Sequence, residues 1–261
     1  MAVIRDQTKV TLDRAVLEQE VGRVIAAADR AGLTVRAVGS LAVSIHCPAS
    51  ASLLPAFART YADIDLVGYR REARRLATLL AELGYVEDRE IFITSEGYRA
   101  IFQETTRRIH VDVFFDRLAF CHTIPIDGRL ALDRPTIPLA ELLLTKLQII
   151  RINEKDVVDV ALLLLEHEPA VGDAETIDVA RIARLCAEEW GLWRTVSQNL
   201  EKVEALVAWY GQLSPVQREL IQARSQAIKA TIDAEPKPLA WRVRARIGDR
   251  RQWWADVDEV L

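Results

Sequence analysis

Asp63 and Asp65 lie two residues apart in the run Asp63-Ile64-Asp65-Leu66-Val67. Gly39-Ser40 stands upstream, and Ile109-His110-Val111-Asp112-Val113 follows downstream. Residues alternate faces along a strand. Asp63 and Asp65 therefore point one way while Ile64 and Leu66 enter the core. The same rule puts His110 and Asp112 on one face and Ile109, Val111 and Val113 on the other. If the two strands are neighbours, three carboxylates converge. Two like charges about 4 Å apart cost roughly 4 kcal/mol at an effective dielectric near 20, and a divalent cation turns that repulsion into binding. Oxygen-only ligands favour Mg²⁺ or Mn²⁺ over zinc. Gly39 permits close backbone approach, and Ser40 offers a hydroxyl and an amide to a phosphate. The chemistry expected is metal-assisted transfer from a nucleoside triphosphate (NTP), with two metals activating the attacking oxygen and stabilising the departing pyrophosphate.

The elements that must position these groups are readable. Leu12 to Ala31 has the apolar spacing of an amphipathic helix, with Gly32 as its stop. Thr34 to Val38 reads as a strand running straight into Gly39-Ser40. Leu41 to Ile45 starts a short helix, and Cys47 to Ala58, rich in Ala, Ser and Pro, reads as a loop. After the Asp63 strand, Arg70 to Leu83 is a helix closed by Gly84. Ile91 to Ile93, Tyr98 to Phe102 and Ile109 to Phe115 read as three more strands, with Thr105-Thr106-Arg107 turning between the last two.

The character changes beyond Phe115. His122 to Ile137 is irregular, and Pro138 suits the first turn of a helix through Ile150. Further helices are expected over Lys155 to Glu166, Thr176 to Glu189, Val196 to Tyr210 and Pro215 to Ala234. A Trp- and Arg-rich tail follows Pro236 and Pro238. The fold class expected is α+β: an N-terminal catalytic domain over 1–130, a mixed sheet flanked by helices, then a helical C-terminal domain over 131–261.

The 261 residues, half of them hydrophobic, suffice for two compact domains. A net charge of -4 argues against attraction of the whole surface to nucleic acid or anionic lipid. Cys47, Cys121 and Cys186 show no zinc-ligand spacing, which suits a reduced, cytoplasmic protein with structural thiols. The N-terminus is too charged for a secretory signal, and no apolar run approaches the roughly 20 residues that span a bilayer, so no membrane partner is expected.

Val38-Gly39-Ser40, Arg59-Thr60-Tyr61-Ala62-Asp63-Ile64-Asp65-Leu66 and Val111-Asp112-Val113 resemble the nucleotidyltransferase superfamily that shares the DNA polymerase β-like catalytic fold. The resemblance is closest to the branch of AbiEii-type toxins of abortive-infection and toxin–antitoxin systems. Leu143-Leu144-Thr145-Lys146-Leu147, with Arg151 and Lys155-Asp156-Val157-Val158-Asp159, is similar to that branch's later helical motif. The resemblance covers about Val35 to Glu166. The stretch between Ser40 and Asp63 is longer than in compact members of the superfamily.

The resemblance implies that Asp63, Asp65 and Asp112 bind Mg²⁺ (or Mn²⁺), Asp112 also polarising the acceptor hydroxyl. It implies that Gly39 and Ser40 hold the triphosphate, that Arg59 is a second cation for it, and that Lys146 contacts phosphate or developing charge. Lys155 and Asp156 share that segment and join the nucleotide-binding set. The activity implied is transfer of a nucleoside monophosphate from an NTP to a hydroxyl of tRNA or protein, with an antitoxin as partner. Alternatives are a small-molecule (aminoglycoside-like) nucleotidyltransferase and a nucleotide-binding module without catalysis.

Other residues carry plainer readings beside the functional ones. On periodicity alone, Lys146 covers apolar surface with its stem and sends its head to water. Lys155 and Asp159, four apart, can form a helix-surface pair. His110 reads first as a structural histidine. The tail, with Trp241, Trp253, Trp254 and five interleaved arginines, reads as a packed amphipathic element ahead of an RNA-stacking surface.

Overall fold

A computed structural model describes residues 12–57 and 61–256. They divide into two compact units, the first comprising 12–45, 61–118 and 125–137, the second 46–57, 119–124 and 138–256. The fold is α+β, with a mixed sheet in the first unit.

The first unit opens with helix α1 (Arg14–Arg30), whose N-terminus is capped by the Asp13 carboxylate accepting from the Ala15 N–H at 2.8 Å. Its Leu17, Val21, Val24, Ile25 and Ala28 are buried, the face that the sequence spacing requires. Strand β1 (Val35–Val38), helix α2 (Gly39–His46), strand β2 (Asp63–Gly68), helix α3 (Ala73–Glu82), strand β3 (Tyr85–Asp88), helix α4 (Arg89–Thr94), strand β4 (Arg99–Glu104) and strand β5 (His110–Phe115) follow. The five strands order as β1-β2-β5-β4-β3. β2 and β5 run parallel at the centre, and the other pairs are antiparallel.

Alternation gives this sheet two chemically different faces. Ile64, Leu66, Val111, Val113, Ala100 and Phe102 are buried on the face that α1 and α3 cover. The opposite face carries Asp63, Asp65, His110, Asp112, Arg99 and Gln103. The outer edge of β1 is closed by the segment before Ile137: the Ala37 N–H donates to the Pro135 carbonyl at 2.9 Å, and the Ile137 N–H donates to the Ala37 carbonyl at 3.2 Å.

Ile91 to Ile93 is not a strand. The three residues belong to α4, because the Asp88 carboxylate caps the Glu90 N–H at 3.1 Å and starts a helix there. The ladder beside β4 is taken by β3, paired Tyr85↔Glu104 through Asp88↔Ile101. Three β-prone side chains in a row carried a strand propensity that local capping and an occupied sheet edge overrode.

Two short strands, β6 (Arg117–Ala119) and β7 (Thr123–Pro125), form a two-stranded sheet. The second unit is mostly helical: α5 (Leu139–Leu147), α6 (Glu154–Glu166), the parallel pair β8 (Glu168–Ala170) and β9 (Thr176–Asp178), then α7 (Val179–Glu188), α8 (Trp190–Val207), α9 (Pro215–Ala234) and α10 (Leu239–Ile247). α7 starts at Val179, after the expected Thr176, because the Asp178 side chain accepts from the N–H groups of Ala180 and Arg181. α9 starts at Pro215 behind a capping box of Ser214 and Gln217. The expected loop after Cys47 contains 3-10 turns over Ala49–Phe57. It belongs to the second unit, where the Glu166 carboxylate accepts from the Ala49 N–H at 3.2 Å and from the Ser50 N–H at 2.5 Å. The two units interleave along the chain.

Candidate active site

Strand register assembles the polar face. β2 and β5 pair with Asp63 opposite His110 and Asp65 opposite Asp112. Two of the three aspartates are direct cross-strand neighbours, and the third is two residues along the same face. Antiparallel pairing of β1 sets Val38 opposite Asp65, which delivers the next residue, Gly39, to the Asp65 side chain. Gly39 has φ +74°, and a Cβ there would overlap the Asp65 carboxylate. Glycine is required twice over, for the backbone angle and for the close approach. Ser40 follows in the first turn of α2, half-buried.

Asp112 is almost fully buried at 6 % exposure. It is held by Arg99, whose Nε donates to its two carboxylate oxygens at 2.9 and 3.0 Å, with Nη2 also donating to Oδ2. These hydrogen bonds, opposed by the burial of the guanidinium, hold Arg99 more firmly protonated than a free side chain; the charges of Asp112 and Asp65 add to the effect. The Arg99 guanidinium also lies over the Phe114 ring, 5.6 Å from its centroid.

Arg99 is the member of this face that sequence reasoning missed. Its strand was legible, and alternation already set it opposite Ala100 and Phe102. Its partner was not, because the register Arg99↔Phe114 and Ile101↔Asp112 depends on how two hairpin strands align.

In the second unit, Lys146 lies on α5, all of whose residues are buried. Its Nζ is 3.1 Å from Asp156 Oδ1 and 2.9 Å from Asp159 Oδ2 on α6. Burial pulls the ammonium pKa down, but the two carboxylates outweigh it and the net shift is upward. The structure thus brings Lys146, Asp156 and Asp159 together. Lys155 is exposed at the start of α6. Arg59 lies outside the described residues.

The second unit holds one more polar cluster. The imidazole of His122, 4 % exposed, has Nδ1 at 2.8 Å from Glu189 Oε1 and Nε2 at 2.8 Å from Thr195 Oγ1. The Trp253 indole N–H donates to the same hydroxyl at 3.1 Å. Trp241 donates from Nε1 to the Cys186 carbonyl at 3.0 Å, and Arg244 lies over the Trp190 ring at 4.2 Å. Trp241 and Trp253 therefore turn their indoles to the helices, while Arg242, Arg246, Arg250 and Arg251 are exposed. The cysteines are free and buried; burial pushes the Cys186 thiol up to about 12 and raises that of Cys47 as well.

The donor chemistry of the carboxylate face suits a hard divalent cation. Among the described residues no group of three or more His, Cys, Asp or Glu side chains is gathered as a metal cage. Mg²⁺ does not need one, since it commonly binds through one or two carboxylates with substrate phosphates and water supplying the rest. Half-buried Asp63 and Asp65 would hold it on their shared face of β2, with Asp112 beside Asp65.

Among the described residues no helix is long and apolar enough to cross a membrane. Comparison with models of known protein families, with curated proteins and with solved structures gives no match for this chain.

Proposed function

We propose that the protein is a nucleotidyltransferase that uses Mg²⁺ (or Mn²⁺) to move a nucleoside monophosphate from an NTP to an acceptor hydroxyl. The observation that carries this reading is the register Asp65↔Asp112 on parallel neighbouring strands, with Asp63 on the same face and the Gly39 turn packed against Asp65. Arg99 already pairs with Asp112 on this face; the oxygen donors of Asp63 and Asp65 beside it suit a hard divalent cation, and a glycine–serine turn opening a helix beside them suits an anionic phosphate chain.

In this reading Gly39 and Ser40 offer amides and a hydroxyl to the phosphates, and Asp63, Asp65 and Asp112 would hold the cation. The bound ion supplies Lewis-acid polarisation and neutralises charge on the leaving group. Asp112 orients the acceptor hydroxyl and takes its proton as the new oxygen–α-phosphorus bond forms. The bond from the α-phosphorus to the bridging oxygen breaks, and pyrophosphate leaves with the electron pair. Lys146 is a structural cation inside its unit before it is a phosphate ligand, given its two carboxylate partners.

The biological role proposed is that of an AbiEii-like toxin acting on tRNA or protein. The test incubates the protein with each α-³²P-labelled NTP and Mg²⁺, alone, with total tRNA, and with an aminoglycoside. Label on tRNA or on protein supports the role, and label on the aminoglycoside replaces it with a small-molecule transferase. Mg²⁺–NTP should raise the melting temperature of the wild type and not of the variant carrying Asp63→Asn with Asp65→Asn. No transfer and no stabilisation with any NTP would sink the enzyme reading.

A further inference from the structure

Arg99 sits where it competes with a cation. Its guanidinium bridges both oxygens of Asp112 and lies within electrostatic reach of Asp65. The placement follows from the strands: Arg99 pairs with Phe114 and Ile101 with Asp112, so Arg99 is the diagonal neighbour of Asp112 on the polar face. The two partners differ in access. The Arg99 side chain is 31 % exposed and the Asp112 side chain 8 %. A ligand arriving at this face therefore meets the arginine first.

A guanidinium recognises phosphate with the same two-pronged geometry that it uses for carboxylate. A polyphosphate carries more charge than one aspartate and can take the fork over without rearranging the sheet. We propose that Arg99 is a positioning residue that withholds Asp112 from the divalent cation until the phosphates of the substrate draw its guanidinium away. The inference rests on the nucleotidyl-transfer reading of the same face. It makes cation binding and phosphate binding cooperative, since each favours the arrangement in which Arg99 has left Asp112.

The experiment titrates Mn²⁺ into the full chain without nucleotide and follows free Mn²⁺ by electron paramagnetic resonance. Wild type, Arg99→Met, Asp112→Asn and the double variant are compared. Arg99→Met is expected to bind Mn²⁺ at least about tenfold more tightly than wild type, while in the Asp112→Asn background the same change gains less than about threefold. An equal gain in both backgrounds is a plain effect of removing charge and overturns the inference, as does no gain at all. If Arg99→Met does not fold, as judged by circular dichroism, Arg99→Gln removes the charge, keeps a donor for Asp112, and is held to the same outcomes. A second readout uses sodium tripolyphosphate in EDTA, which should raise the melting temperature of the wild type and not of the Arg99 variant. Mn²⁺ binding by the wild type that is unchanged in the Arg99 variant removes this inference alone. No Mn²⁺ binding by any variant, with or without NTP, removes the nucleotidyl-transfer reading as well.

Discussion

The Asp65 carboxylate occupies the space that a side chain at Gly39 would need. A Cβ built there would overlap Asp65 Oδ2 and stand 3.0 Å from its Cγ, at a backbone angle of φ +74°. The expected result for Gly39→Ala is a loss of about 1–2 kcal/mol from the left-handed backbone alone, plus the cost of displacing the carboxylate. In an Asp65→Ala background the overlap with the carboxylate is gone, and the backbone part should remain with only the 3.2 Å approach to the residue 65 Cβ. Urea unfolding of the four proteins of this cycle measures the difference, and an equal cost in both backgrounds would show that the close approach is not what demands glycine.

Glu20 predicts an acid-sensitive step in the first unit. Its buried carboxylate accepts from Arg23 Nε at 3.1 Å, from Arg107 Nη2 at 2.8 Å and from the Tyr85 hydroxyl at 2.5 Å. Burial alone would raise the carboxyl pKa, but hydrogen bonds from Arg23, Tyr85 and Arg107 overcome it and lower the value from 4.5 to about 2. A depressed folded-state pKa gives stability that is fully present above about pH 4.5 and is lost as the pH falls toward 2. The shift corresponds to about 3 kcal/mol. Glu20→Gln should be less stable than wild type at pH 6 and should lose less on going to pH 3, read from urea midpoints at both values.

The sequence made the carboxylate face legible because strand alternation is a local rule: Asp63 and Asp65 had to share a side, and so did His110 and Asp112. It also placed α1, α9 and the glycine turn, each marked by periodicity, a cap or a positive-φ residue. What was not legible depends on pairing at a distance. Nothing local announces that β2 and β5 are parallel, that β3 takes the edge beside β4, or that Arg99 lands diagonal to Asp112. The interleaving of the units was hidden for the same reason. Glu166 captures the N–H groups of Ala49 and Ser50 across more than a hundred residues, and composition carries no trace of such a contact.

Lys146 separates packing from chemistry. Its ammonium is shared between Asp159, at 1 % side-chain exposure, and Asp156, at 16 %. Removing the lysine leaves buried carboxylates without their cation, which costs about 3–5 kcal/mol. Lys146→Met should therefore unfold at markedly lower urea concentration. The triple variant Lys146→Met, Asp156→Asn, Asp159→Asn should recover most of that loss, because no uncompensated charge is left. Recovered stability without recovered nucleotide transfer would assign the Lys146, Asp156 and Asp159 cluster a part in the reaction in addition to its part in the helix pair. A triple variant no more stable than Lys146→Met would refute the buried-charge account.

Thr195 holds the tail to the helices through one oxygen. Its hydroxyl is 2.8 Å from His122 Nε2 and accepts the Trp253 indole N–H at 3.1 Å. The tail backbone adds the Ala255 N–H donating to the Cys121 carbonyl at 2.9 Å. An indole N–H can only donate, so Thr195 must accept from it. Thr195→Val keeps the shape and removes both hydrogen bonds, leaving the buried imidazole and the part-buried indole without this partner at a cost of about 1–3 kcal/mol. Thr195→Ser should restore most of the stability. Gly191 offers a second handle, since a Cβ there would stand 2.5 Å from the Trp253 carbonyl. Gly191→Ala should lift the tail, and its Cβ would also stand 3.2 Å from His122 Cε1 and from Glu189 Oε1. Both Thr195→Val and Gly191→Ala are expected to red-shift the tryptophan emission and to speed proteolysis within 248–256. A variant that loses stability with the emission unchanged would mean that the cost arises among the helices and not from release of the tail.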